Sequence, residues 1–205
     1  GQGIASDQVE KAFLRHSTSK IDDFDDLYRI VSMGFRGEAL ASIIAVSKLT
    51  INTKTEDEKS GTSLDYEDSR VVNRTKLAMN QGTTIEVRDI FYNLPVREKF
   101  LKSDQAEANK ISQLMYSFAI GNPHISIVYI RDNKEIFRTN RNNSLLDNLG
   151  VLFNLDYSKN TLELDCKSDN YKVKGYISNN KYYKGNRSMQ YFYVNGRYIE
   201  EEDLT

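Results

Sequence analysis

Gly34-Phe35-Arg36-Gly37-Glu38-Ala39-Leu40-Ala41-Ser42-Ile43 is the stretch on which the reading of this chain turns. Two glycines bracket an arginine, and an apolar, helix-forming run follows at once. Glycine lets a backbone turn sharply and approach a ligand closely. The helix start that follows offers unpaired N–H groups and the positive end of a dipole, a combination suited to phosphate. Taken alone, the pattern favours a plain glycine turn ahead of a buried helix. Its weight comes from the segments on either side.

Upstream, Gly1-Gln2-Gly3-Ile4 reads as a tight turn that lets backbone pass close to a flat or phosphorylated ligand. A helix over 7–16 is predicted after it, with Asp7 as cap, Glu10 completing a capping box, and Val9, Ala12 and Phe13 as the apolar stripe. His16-Ser17-Thr18-Ser19-Lys20 then places three hydroxyls and an ammonium in a polar loop. That is a good inventory for oxyanions and equally the makeup of a solvated, capped loop. A short helix is predicted near 25–30 and another over 38–46. Strands are predicted at 48–53, 62–66 and 83–89, where β-branched residues alternate with polar ones. The stretch between the second and third strands is polar and has no clear period. Gly82-Thr83-Thr84 opens the third, with a hydroxyl that either caps a turn or faces a pocket.

Downstream, Phe91-Tyr92-Asn93-Leu94-Pro95 reads as a turn, with Pro95 forcing Leu94 into an extended conformation. Arg97, Lys99 and Lys102 form a basic group beside Phe100, compatible with a phosphate-backbone contact but also with a solvated helix start. A long helix over 104–120 is predicted next, with Ile111, Leu114, Met115 and Phe118 on its apolar face. A hairpin over 125–138, a linker at 140–143, a helix over 144–153 and strands near 161–166, 171–177 and 189–194 complete the layout. It is an α+β arrangement, divided into a first domain over 1–139 and part of a second over 140–205.

Bulk properties narrow the function. The 205 residues carry 28 basic against 29 acidic side chains, so a globally basic nucleic-acid-binding surface is excluded while local patches remain. No apolar run approaches membrane-spanning length. The single cysteine, Cys166, lies in an alternating run and has no internal partner, which fits a reducing compartment. His16 and His124 lack metal-ligand spacing with cysteines or carboxylates, so no histidine metal site is expected. The chain opens on a glycine turn without an initiator methionine and stops in an acidic run; both ends read as cut.

Taken together, Gly-x-Gly-Ile, His-x-Thr-Ser-Lys, Gly-Phe-Arg-Gly-Glu-Ala-Leu-Ala-Ser-Ile and Gly-Thr-Thr-x-x-Val closely resemble the MutL family of DNA mismatch-repair ATPases. These belong to the wider class of gyrase B subunits, the ninety-kilodalton heat-shock chaperone and histidine kinases. The tract from Phe91 to Leu101 and Tyr193-Val194-Asn195-Gly196-Arg197 also look like that family, so the likeness runs along nearly the whole chain. It implies a Bergerat-type two-layer α/β sandwich ATPase domain followed by part of a ribosomal-protein-like α/β transducer domain. By resemblance, Gly1, Gly3 and Ile4 lie beside the nucleotide, and Thr18, Ser19 and Lys20 belong to a lid near the phosphates. Arg36, Gly37, Glu38, Ala39 and Leu40 cradle phosphate, and Thr83 supports the adenine end.

The resemblance further implies ATP and Mg²⁺ as cofactors, slow hydrolysis, and a clamp that dimerises on ATP and couples mismatch recognition to downstream repair factors. Weak, non-specific DNA contact through Arg97, Lys99 and Lys102 is a guess from local charge. The family's general-base glutamate, its Mg²⁺-holding asparagine and its adenine-reading aspartate fall upstream of Gly1. These 205 residues alone are therefore expected to hydrolyse ATP poorly or not at all. A bacterial cytoplasmic location, or a nuclear one in a eukaryote, accompanies the reading. Two alternatives stand beside it: a nucleotide-independent DNA- or partner-binding module, and an ATPase of the type II topoisomerase kind.

Overall fold

Burial alternates strictly in β1 (Lys48–Lys54): Leu49, Ile51 and Thr53 are buried and the residues between them are half-buried. Period-2 alternation gives such a strand one core face and one polar face. The computed structural model describes residues 1–15 and 37–200. The predicted helix at 25–30, the Ser17–Lys20 loop and Arg36 lie outside the described residues. The chain forms two compact units, Gly1–Leu101 and Lys102–Thr205, each a mixture of helices and antiparallel sheet.

In the first unit β1 is central, flanked by β2 (Gly61–Glu67) and β4 (Gly82–Arg88), with β3 (Arg70–Leu77) beyond β2. All neighbours are antiparallel, and the registers put Ile51 opposite Leu64 on one side and Ile85 on the other. Leu49, Ile51, Leu64 and Tyr66 project from the core face onto Val9, Phe13 and Ile44, joined by Ile4, Leu40 and Ile43. Ile43 and Ile44 belong to α1 (Ala39–Ile44), whose apolar run was predicted to be helical. The ring of Phe13 lies 4.4 Å from that of Tyr66.

Two sequence expectations change here. Among the described residues, the predicted helix over 7–16 is a turn followed by a single 3-10 turn at Lys11–Phe13. The capping box does not form because Arg74 holds the Glu10 carboxylate at 2.6 Å and its guanidinium also donates to the Ser6 carbonyl. Val9 and Phe13 are buried nonetheless. β3 has no counterpart in the prediction. Nearly all its residues are exposed, so an edge strand without a buried face left no period in the sequence.

In the second unit α3 (Asp104–Gly121) and α4 (Leu145–Phe153) pack with the hairpin of β5 (Val128–Arg131) and β6 (Lys134–Arg138). Their core holds Ala119, Ile120, Tyr129, Phe137, Leu149 and Leu152. Then follow α5 (Leu155–Lys159), the β7–β8 hairpin (Thr161–Lys167, Lys172–Ser178) and the β9–β10 hairpin (Phe192–Val194, Arg197–Ile199). The buried side of α3 is only in part the predicted one: Met115 packs on the core, but Ile111, Leu114 and Phe118 are exposed, whereas Ser117, Ala119 and Ile120 are buried. The small side chains of Ser117 and Ala119 admit close neighbours, and Tyr193 donates its hydroxyl to the Ser117 carbonyl at 2.7 Å.

The two compact units divide between Leu101 and Lys102, and the elements before and after Asn140–Asn143 share one core. That polar tract is a turn leading into α4, which begins at a complete capping box of Ser144 and Asp147.

Candidate nucleotide site

The two glycine motifs of the first unit meet at the end of β1. Gly3 has a left-handed backbone (φ +81), and a Cβ there would stand 2.0 Å from the Lys54 carbonyl oxygen. Only glycine lets the turn lie this close against the strand. Three further attachments hold it: the Ile4 N–H donates to Thr53 Oγ1 at 2.8 Å, the Ser6 N–H to Glu58 Oε1 at 2.9 Å, and Gln81 Nε2 to the Gln2 carbonyl at 3.3 Å. Gly82, also at positive φ (139), starts β4 beside Gly1, with 3.8 Å separating the position of a Cβ from the Gly1 carbonyl oxygen. Thr83 follows, pairing with Thr53 in the β1–β4 register, and the two hydroxyls are 2.8 Å apart.

Gly1, Gly3, Ile4 and Thr83 are thus brought together around one strand end. Ile4 packs on the core, and Thr83 keeps an exposed position at the rim. Gly37 has φ +62 and precedes α1, where the Ser42 N–H donates to the Glu38 carbonyl at 3.0 Å. Ala39 is exposed, and Leu40 turns its side chain onto the core. Thr18, Ser19, Lys20 and Arg36 lie outside the described residues.

Glu58 shapes the electrostatics. Backbone N–H groups of Thr55 and Ser6, and then the Thr55 hydroxyl, donate to its carboxylate and lower its pKa from 4.5 to about 2, against the effect of burial. Neither Glu58 nor Thr53 was singled out from sequence. The available signal for Thr53 was a hydroxyl at a core-facing position of a strand whose other core-facing residues are Leu49 and Ile51.

A cavity of about 420 Å³ opens on the opposite, polar face of the sheet, lined by Thr50, Asp65, Glu86 and Arg88 among others, and includes none of the motif residues. Its charges are mutually satisfied. Thr50 and Asn73 donate to Asp65 and hold its carboxyl below the ordinary range, and Arg88 pairs with Glu86. Among the described residues no group of three or more His, Cys, Asp or Glu side chains could hold a metal ion.

Of the basic group, Arg97 and Lys99 lie exposed on α2 (Pro95–Lys99), beside an exposed Phe100. Lys102 falls in the second unit, where its backbone N–H donates to Glu107 at 3.0 Å.

Comparison with known proteins covers every residue. The chain is 40% identical over 205 residues to the DNA mismatch repair protein MutL of Caldanaerobacter subterraneus subsp. tengcongensis, of which it covers 35%. It is also 40% identical over 205 residues to that of Agathobacter rectalis, of which it covers 32%. The chain thus spans about a third of the length of these relatives. A family model for the C-terminal domain of DNA mismatch repair proteins matches residues 149–205. Among solved structures, an Aquifex aeolicus MutL ATPase domain complexed with ADP is similar at a TM-score of 0.73 and 28% identity, covering all of this chain and 70% of that one. The N-terminal domain of a DNA repair protein reaches a TM-score of 0.76 at 30% identity, with 100% and 64% covered.

Proposed function

The chain belongs to the MutL family of DNA mismatch repair proteins, and on that premise we propose that it is the nucleotide-operated part of a mismatch-repair clamp. The observation that carries the reading is the likeness, along the whole chain, to a MutL ATPase domain complexed with ADP. The meeting of Gly1, Gly3 and Ile4 with Gly82 and Thr83 supports it, since close backbone approach suits a flat, phosphorylated ligand. In this reading the Gly1–Ile4 turn and Thr83 flank the base, and Gly37 to Leu40 present backbone N–H groups to phosphate. Arg36, Thr18, Ser19 and Lys20 are assigned to the phosphates by family resemblance.

Nucleotide acts here by shifting a conformational population and not by driving substrate chemistry. ATP favours a closed dimer that links mismatch recognition to downstream repair factors and holds DNA weakly, in the cytoplasm of a bacterium. The general base and the Mg²⁺ ligand belong, by resemblance, to residues upstream of Gly1. Hydrolysis by these 205 residues alone is accordingly very weak. The test is steady-state ATP turnover by the intact protein with and without Gly37→Val. A β-branched residue at φ +62 distorts the turn before α1, so turnover should be lost; retained turnover would place the phosphates elsewhere.

A further inference from the structure

Thr53 is fully buried on the core face of β1, where an unbonded hydroxyl would be costly. Its Oγ1 accepts the Ile4 N–H at 2.8 Å, lies 2.8 Å from Thr83 Oγ1, and faces the carbonyl oxygens of Gly82 at 3.2 Å and Ile4 at 3.4 Å. A hydroxyl offers one donor and two acceptor sites. One of those acceptors is committed to Ile4, and the remaining capacity reaches Thr83 and Gly82. A single oxygen thus ties the glycine turn to the start of β4, segments separated by most of a hundred residues in the chain. Among the described residues, the Gln81–Gln2 bond that also links them is exposed, and the Ser6 N–H goes to Glu58 in the β1–β2 connection.

We propose that Thr53 is a positioning residue for nucleotide binding, fixing the distance between the Gly1–Ile4 turn and the Gly82–Thr83 corner through this hydroxyl. The inference rests on the nucleotide reading above and adds to it a residue outside the glycine motifs. Contact of Gly3 with the Lys54 backbone limits how far the turn can slide, but it does not orient the turn toward Thr83. Orientation comes from the Ile4–Thr53–Thr83 chain of hydrogen bonds. Valine has the shape of threonine and none of its hydrogen bonds, so Thr53→Val leaves the part-buried Ile4 N–H without its partner. The turn then relaxes in the free protein, and nucleotide must restore it on binding. Because Thr53 is fully buried and acts through the turn, affinity suffers and the chemical step does not.

The experiment measures the Kd for a non-hydrolysable ATP analogue, and KM and kcat for ATP, in the intact wild-type protein and in T53V and T53S. T53V should raise Kd and KM about tenfold, with kcat held within about twofold, because the lost bond acts before chemistry. T53S restores the hydroxyl and should return Kd to within about twofold of wild type. If circular dichroism shows that T53V is unfolded at the assay temperature, T53A repeats the comparison with a smaller side chain. Wild-type Kd in T53V, or equal weakening in T53S and the hydroxyl-free variants, overturns the proposal, whatever happens to thermal stability. Absence of nucleotide binding in the wild type itself overturns the nucleotide reading, and this inference falls with it.

Discussion

Glu58 is the residue whose environment is most strongly altered near the glycine turn, and it makes an acid-sensitive clasp. Its two carboxylate oxygens collect the Ser6 N–H, the Thr55 N–H and the Thr55 hydroxyl, all at 2.9 to 3.0 Å. Every one of these donors prefers the ionised form, so the folded-state pKa falls from 4.5 to about 2. In the unfolded chain the group takes up its proton near 4.5; in the folded chain it resists until about 2. The unfolded state therefore binds more protons between those values, and stability drops as pH falls through that window. Glu58→Gln removes the titration. The stability difference between wild type and Glu58→Gln should be constant above pH 5, shrink between about 4.5 and 2, and vanish below 2. Urea unfolding at a series of pH values measures it, and parallel curves for the two proteins would show that the clasp does not form. Gly3 shows the complementary case, a residue chosen for the side chain it lacks.

Among the elements, α2 is the clearest case of a helix placed by what precedes it. The Phe91 N–H donates to the Val46 carbonyl at 2.6 Å, and Asn93 Nδ2 donates to the Ala45 carbonyl at 3.2 Å and to Asp68 Oδ1 at 2.8 Å. Tyr92 donates its hydroxyl to Asp68 Oδ1 at 2.9 Å and accepts the Asp68 N–H at 3.0 Å. Phe91-Tyr92-Asn93 thus fastens the start of α2 to the residues after α1 and to the β2–β3 turn. Pro95 then opens the helix at a position that needs no N–H. Arg97 and Lys99 leave it toward solvent, and neither makes an ion pair with another described residue. In the intact protein Arg97→Ala should weaken DNA binding and reduce the slope of log affinity against log salt by about one. Unchanged affinity and slope would remove α2 from the DNA contacts.

The same elements show what the sequence made legible. β1 and β2 were readable because each buries a face and so carries a period, α4 because it opens on the cap of Ser144 with Asp147, and β4, exposed beyond Gly82, from its β-branched run alone. β3 buries almost nothing and left no trace. The Asp7–Glu10 capping box failed for a reason invisible locally, since Arg74, sixty-four residues from Glu10, takes the carboxylate the box required. The glycine and Gly-Thr motifs were legible as motifs, but the oxygen that joins them was not. Thr53 is one threonine in a run with several, and only the fold reveals which of them is fully buried.

At the scale of the whole molecule, the described residues gather around two separate cores. The division at Leu101/Lys102 gives each unit its own buried cluster, one centred on Leu49, Ile51 and Leu64 and the other on Ala119, Phe137 and Leu152. Separate cores imply separate stabilities, because cavity energy is felt by the contacts that line the cavity. Leu64 is fully buried at the centre of the first cluster. Leu64→Ala should cost about 2 to 5 kcal/mol, and that loss should appear as reduced amide-exchange protection in β1, β2 and β4. Amides of α3 and α4 should keep their wild-type protection, since their buried residues belong to the other cluster. Equal loss of protection in both units would make them one cooperative body despite their separate cores.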